Sequence, residues 1–177
     1  KSYSRSMLTL YLMLGYPGAG KTTTARLIHE LTGAEHLWAD HERRERFAQP
    51  TYSLQENTAL YDELNARTQE LLASGKSVIY DTNFNFYSDR QKLRDIAATC
   101  GAEVQLLWVR TPKEVAKNRA TQDAHKQGTR ILGNMPVARF ERVTANLQPP
   151  HADEPYVELD GTQLTRDYVS SKLNLQK

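Results

Sequence analysis

The chain has 177 residues, enough for one domain, and its 39% hydrophobic and 25% charged residues exclude both a disordered polyelectrolyte and a membrane protein. Its longest apolar run, Leu8 to Leu14 with Thr9 inside it, falls well short of the ~20 residues of a membrane span and of the apolar centre of a signal peptide. The single cysteine, Cys100, cannot close an internal disulfide, so a reducing, cytoplasmic setting is expected.

Residues 1–6 are polar and patternless and are expected to lie outside the fold, leaving 7–177 as a single domain. Leu8–Leu14 reads as a strand, and a helical pattern runs from Thr22 to Leu31. A short strand is expected near His36–Ala39. From Gln55 to Ser74 the apolar positions Leu60, Leu64, Leu71 and Leu72 form one helical stripe that stops at Gly75. Ser77–Tyr80 is the next strand. Ser88 with Gln91 predicts a capping box at the start of a further helix, which ends at Cys100-Gly101. Val104–Val109 follows as a strand, and Thr111, Pro112 at the first helical position and Glu114 mark another helix start. Pro149-Pro150 is expected to separate the last helix from the last strand, Tyr156–Leu159. Strands alternating with helices imply an α/β fold built on a parallel sheet.

Gly15-Tyr-Pro-Gly18-Ala-Gly20-Lys21-Thr22 matches G-x-x-x-x-G-K-[ST] in full, with a strand running in and a helix running out. Glycines let such a loop wrap so that successive amides point at a di- or triphosphate, and the helix N-terminus adds its positive end. Gly15, Gly18, Ala19, Gly20, Lys21, Thr22 and Thr23 are therefore the expected nucleotide-binding residues. Lys21 would bridge the β- and γ-phosphates and the Thr22 hydroxyl would hold Mg²⁺.

Three branches of nucleotide-binding protein can be separated. A guanine-specific switch needs an Asn/Thr-Lys-x-Asp element, which is missing from the sequence. A mechanochemical ATPase usually follows its second acidic strand with a water-activating glutamate, but here Val78-Ile79-Tyr80-Asp81 runs into Thr82. A kinase remains, in which an acceptor hydroxyl attacks and a carboxylate aligns it.

Asp40 follows the second strand and is a candidate for that carboxylate, with Arg43 one helical turn on. A helix N-cap is its alternative role. Asp81 closes the third strand, where it could hold a Mg²⁺-bound water or orient Lys21 and Arg43. A turn at a strand end is the plainer alternative.

Together the phosphate loop, Asp40-x-x-Arg43 and Val78-Ile79-Tyr80-Asp81-Thr82-Asn83-Phe84-Asn85 resemble the kinase domain of phage-type 5′-polynucleotide kinases, within a group that includes zeta toxins and adenylate-kinase-like enzymes. The resemblance covers Leu8 to Val109 well and the remainder loosely. It implies a three-layer α/β/α P-loop fold with a five-stranded parallel sheet, ATP and Mg²⁺ as cofactors, and phosphorylation of a hydroxyl. By this likeness Asp40 is the general base, Arg43 a ligand of the acceptor-side phosphate, and Asp81 the acidic residue that reaches Mg²⁺ through water. A small helical lid at about 119–136 would supply an arginine over the transferred phosphate, Arg119 or Arg130, with Lys126 behind them. The family's Arg and second acid beside the base are replaced here by Ala39 and His41. The turn Leu159-Asp160-Gly161-Thr162 would border the adenine, which adds Gly161 and Thr162 to the nucleotide site.

From Arg110 to Arg142 eight basic residues face three acids, giving +5 in a chain whose total is only +2. Such a field suits a polyanion. Phe84, Phe86 and Tyr87 could stack on bases, or pack under a helix. The leading expectation is therefore phosphorylation of the 5′-hydroxyl of an oligonucleotide, with single-stranded nucleic acid as partner. A small-molecule acceptor (a nucleoside, sugar nucleotide or antibiotic) and a nucleotide-binding regulatory module without transfer are the alternatives. The five histidines show no ligand spacing, and Cys100 reads as a small apolar filler.

Overall fold

A computed structural model describes residues 7–175; the expectation for residues 1–6 lies outside that range. The elements are β1 (Thr9–Leu14), α1 (Lys21–Thr32), β2 (Glu35–Trp38), α2 (Ala39–Arg46), α3 (Leu54–Ala73), β3 (Val78–Asp81), α4 (Tyr87–Thr99), β4 (Glu103–Arg110), α5 (Lys113–Thr121), α6 (Val137–Ala145), β5 (Val157–Asp160) and α7 (Arg166–Lys172), with a single 3-10 turn at Ala124–Lys126.

All five strands are parallel, in the order β2-β3-β1-β4-β5. Buried on both faces, β1 carries apolar or aromatic side chains at successive positions instead of alternating with polar ones. Leu10, Leu12 and Leu14 pack with Leu60, Leu64 and Leu72 of α3 and Leu93 of α4. Tyr11 and Met13 point to the other face, against Ala25 and Ile28 of α1, Val169 of α7 and Leu173 at its end. The result is the three-layer α/β/α arrangement of a P-loop fold. A small separate cluster, Ala116 and Ala120 of α5 with Phe140 of α6, joins those two helices beyond the sheet edge. No helix among the described residues is long and apolar enough to cross a membrane.

Local expectations fail at three points. The Ser88–Gln91 capping box does not form: Phe86 is the N-cap, two residues earlier than Ser88, and the free amide of Tyr87 donates to the Gln148 side chain at 2.8 Å. Pro112 is the N-cap of α5 rather than its first helical residue, and the Thr111 hydroxyl is used elsewhere, on the phosphate loop. The chain does not end at the fifth strand, because α7 follows it, capped by Thr165 through the Tyr168 amide, and covers α1. Its short length hides the helical period in the sequence.

The parallel order places every β-to-α connection from β1 to β5 at one edge. The phosphate loop leaves β1, Asp81 ends β3, and Trp38 of β2 pairs with Asp81 in register. Ligands of open α/β sheets collect at this carboxyl edge.

Candidate active site

The loop between β1 and α1 is shaped by what surrounds it. A Cβ on Gly18, which has φ 79°, would lie 2.3 Å from the Ala116 carbonyl of α5, so only glycine lets the loop pass. Helical bonding begins with the Thr24 amide on the Gly20 carbonyl at 2.9 Å, and no side chain caps the helix. The amides of Gly20, Lys21, Thr22 and Thr23 are thus left without intrahelical partners at the positive end of α1. Lys21 Nζ donates to the carbonyls of Gly15 and Tyr16, both at 2.8 Å. Burial lowers the Lys21 pKa to about 8, against the opposite pull of Asp81 and Asp40.

Two later segments of the chain close on the loop. Thr111 Oγ1 donates to the Ala19 carbonyl at 2.8 Å. Gly161, in the turn after β5, is buried against the same pair, and Thr162 lines the cleft beside it. Arg119 donates to the carbonyls of Gly18 and Gly161, both at 3.3 Å, and so bridges the loop and this turn.

Asp40 is the second residue of α2, whose N-cap is Trp38, so it does not cap the helix. Burial raises its pKa, while the positive charges of Arg130, Lys21 and Arg43 pull it down. Arg130 is itself largely buried; desolvation lowers its pKa and the charge of Asp40 opposes that. Its Nε is buried with no hydrogen-bond partner among the described residues. The two lid candidates therefore do different things: Arg130 lines the cleft with Asp40 and Lys21 and acts on both by its charge, and Arg119 is bonded to the loop carbonyls. Arg26 holds the intervening segment down over α1 by donating to the Gly128 carbonyl at 3.2 Å, and Lys126 is exposed and pairs with Asp123.

Asp81 is 3% exposed and accepts a hydrogen bond from His36 Nε2 at 2.8 Å. That histidine escapes the sequence reading because it lies on β2, 45 residues from its partner. Among the described residues no cluster of three or more His, Cys, Asp or Glu could hold a metal by itself. One hydroxyl (Thr22), one carboxylate (Asp81) and open amides fit Mg²⁺, which keeps several waters and is completed by substrate phosphates.

Arg43 is 3% exposed and is not free to reach an acceptor alone. Its Nη1 donates to Glu56 and its Nη2 to Asn57 Oδ1 at 2.8 Å. Although burial opposes its charge, Glu56 is held ionised by the amides of Thr51 and Tyr52 and by Arg43. Ser53-x-x-Glu56 has capping-box spacing, the signal available for this residue, but only half of the box forms: the Glu56 amide donates to Ser53 Oγ at 3.1 Å, while the Glu56 carboxylate takes the amides of Thr51 and Tyr52 instead of that of Ser53.

A cleft of about 800 Å³ joins these groups, and its far wall is built by Tyr52, Tyr61, Arg139 and Arg142. The aromatic loop after Asn83 does not reach it. Phe84 packs edge-on against Tyr80 in the core, Tyr87 stacks on His151, and Phe86 is exposed outside the cleft. Of the two roles open to this loop, Phe84 takes the packing one, and none of the three rings lines the cleft.

A family model described as an AAA domain, AAA_33, matches residues 10–150. No curated protein matches the chain significantly. Solved structures similar to it include a kinase of unassigned specificity from Chloroflexus aurantiacus j-10-fl (18% identity, TM-score 0.75, 97% of this chain and 100% of that one). An unliganded sugar kinase from Janibacter sp. HTCC2649 is also similar (22% identity, TM-score 0.69, 96% and 94%). The Pnkp1/Rnl/Hen1 RNA repair complex contains a chain of which this one spans less than half (22% identity, TM-score 0.61, 81% and 45%). At these identities the likeness is one of fold.

Proposed function

The chain belongs to the AAA_33 family of AAA domains, and we propose that it is an ATP-dependent phosphotransferase that moves the γ-phosphoryl group to a hydroxyl of a small molecule. The observation that carries this reading is the buried Asp40 carboxylate, which lines one cleft with Lys21, Arg130 and the phosphate loop and feels both positive charges.

Phosphoryl transfer asks a protein mainly for positioning and charge. The open amides from Gly20 to Thr23 would hold the phosphates, with Lys21 drawn from the loop carbonyls to the outer two. Mg²⁺ held at Thr22, with Asp81 behind a bound water, would offset charge on the phosphate oxygens. Asp40, its pKa raised by burial and drawn back by three cations, would accept the proton of the attacking hydroxyl. Arg130 would neutralise the group in flight, and Arg119 would fix the loop to the Gly161-Thr162 turn beside the base. The segment 119–136 is then the lid.

Support for a small acceptor comes from how the basic segment is arranged. Lys113 and Lys117 are spent on Glu141 at 2.8 and 3.0 Å, whereas Arg130, Arg139 and Arg142 line one cleft. The sugar kinase among the similar folds is compatible with this. A 5′-hydroxyl oligonucleotide is the second reading, favoured by the Asp81-Thr82-Asn83-Phe84-Asn85 string. Labelled ATP offered with a panel of polyols, sugars, sugar acids, nucleosides and 5′-hydroxyl oligonucleotides tests both. Transfer to a small alcohol, abolished in Asp40→Asn, is expected. Preferred transfer to the oligonucleotide, with acceptor binding that weakens steeply with salt, would replace the first reading with the second. ATP binding with no transfer to any acceptor, and none of it altered by Asp40→Asn, would leave a regulatory module.

A further inference from the structure

The cleft carries more positive charge than a nucleotide requires. Lys21 and Arg130 face Asp40, Arg119 lies on loop carbonyls, and the charge of Arg43 is offset by Glu56. Two further cations line the cleft, Arg139 and Arg142 of α6, and among the described residues neither has a carboxylate within ion-pair distance. The one acid of α6, Glu141, is turned to the outer side, where it takes both Lys113 and Lys117. The helix thus keeps its neutralised charge outside and its unpaired charge in the cleft.

Tyr52 connects this wall to the rest of the site. The Arg139 guanidinium carbon lies 3.1 Å from the centre of the Tyr52 ring, and that of Arg43 lies 4.3 Å from the same ring. Tyr52 has φ 56°, a left-handed backbone that is uncommon for a residue with a bulky side chain, and its amide is tied to Glu56 at 2.9 Å. Backbone strain of this kind tends to gather at ligand clamps. Stacking on the ring fixes the plane of Arg139 and leaves its donors at the plane's edge, the geometry with which arginine takes an oxyanion by two parallel bonds.

We propose that Tyr52, Arg139 and Arg142 form the acceptor subsite, and that it takes an oxyanion, a carboxylate or a phosphate ester, carried by the same molecule whose hydroxyl is phosphorylated. This rests on the kinase reading of the same cleft. The subsite holds the acceptor by a part that does not react, and so sets which alcohol reaches Asp40.

Two measurements separate this inference from that reading. With the phosphate loop filled by Mg²⁺ and AMPPNP, sulfate is titrated at constant ionic strength and the Nε–Hε signals of Arg139 and Arg142 are followed by NMR. Saturable shifts at millimolar sulfate are expected, absent with chloride and weakened at least tenfold in Arg139→Gln and Arg142→Gln proteins that melt like the parent. No shift, or one that chloride reproduces, overturns the proposal whatever the enzyme does. In turnover, glycerol is compared with glycerate and glycerol 3-phosphate, and glucose with gluconate; the better anionic member identifies carboxylate or phosphate. The Arg139→Gln change should lower kcat/KM for the anionic member at least tenfold and leave the KM for ATP unchanged. Equal use of neutral and anionic members, unaltered by Arg139→Gln, sinks the subsite but keeps the kinase. Sulfate binding without transfer to any acceptor supports the subsite and counts against the kinase.

Discussion

Thr111 Oγ1 donates to the Ala19 carbonyl at 2.8 Å, so the start of α5 holds the phosphate loop by a side chain 92 residues away. Gly161 closes over this bond: a Cβ there would lie 2.0 Å from Thr111 Oγ1 and 2.1 Å from the Ala19 oxygen. Thr111→Val keeps the shape and removes the bond, at a cost of about 1–3 kcal/mol for a buried carbonyl losing its partner. If that cost falls on the loop, AMPPNP affinity measured by calorimetry with Mg²⁺ should drop roughly tenfold. Gly161→Ala must push both atoms aside and should weaken binding more than Thr111→Val does. Unchanged affinity in both variants would mean that the loop keeps its shape without this tie.

Lys21 and Asp40 should separate binding from chemistry. Lys21→Ala removes a charge from the phosphates and should lower turnover by about 10²–10³-fold, the usual effect of losing one transition-state donor. Asp40→Asn keeps the side-chain shape and removes the proton acceptor, so kcat should fall about 10²–10⁴-fold while the KM for ATP changes little. Steady-state kinetics with any acceptor from the panel gives both numbers. An equal collapse of ATP affinity in Asp40→Asn would show that the residue supports the nucleotide and is not the base.

Arg130 and Arg119 differ in what they touch, so their removal should differ in kind. Arg130 lines the cleft within reach of the Asp40 charge and has an unpartnered buried Nε, whereas Arg119 is bonded to the carbonyls of Gly18 and Gly161. Arg130→Ala should lower kcat about 10²–10³-fold with little change in the KM for ATP. Arg119→Ala should raise the KM for ATP, on the order of tenfold, with a smaller effect on kcat. The reverse pattern would exchange their roles in the lid.

What the sequence displays is whatever depends on neighbours along the chain. The five strands and the phosphate loop follow from apolar runs and glycine spacing, and all appear within a residue or two of their expected bounds. The role of Asp81 near Lys21 is legible because each ends or follows a strand marked by its apolar run, and the Leu10–Val78 register sets those two strands side by side. His36 on Asp81, Thr111 on Ala19 and Arg139 on Tyr52 are not legible, since each joins residues far apart in the chain and no local pattern marks the pairing. Thr111 shows the cost of local reasoning most plainly. Its position before a helix suggests a cap, yet a distant carbonyl competes for the hydroxyl and wins. Arg43 reads as a free cation until Glu56, 13 residues on, is seen to neutralise it.

Arg90 and Glu154 form a buried pair outside the cleft, and they set the acid limit of the fold. Arg90 Nε and Nη2 meet the two Glu154 oxygens at 2.8 and 2.9 Å, with Arg90 fully buried and Glu154 5% exposed. Burial works against the charge on Glu154, but Arg90, the His151 amide and Arg94 together lower its pKa from 4.5 to about 2. The unfolded chain therefore binds a proton at Glu154 between pH 4.5 and 2 that the folded chain does not. Stability from this group is complete above about pH 4.5 and is lost as the pH falls toward 2. Urea melts of the parent should show this loss over that window, and Glu154→Gln should flatten it. The same change strands the Arg90 charge, so at pH 7 it should cost about 3–5 kcal/mol. Since the pair anchors the 149–154 segment to α4 and to the Phe84 carbonyl at 2.7 Å, the nucleotide site should be disturbed only through the fold. At 10 °C and pH 7, any Glu154→Gln protein that remains folded should bind AMPPNP like the parent.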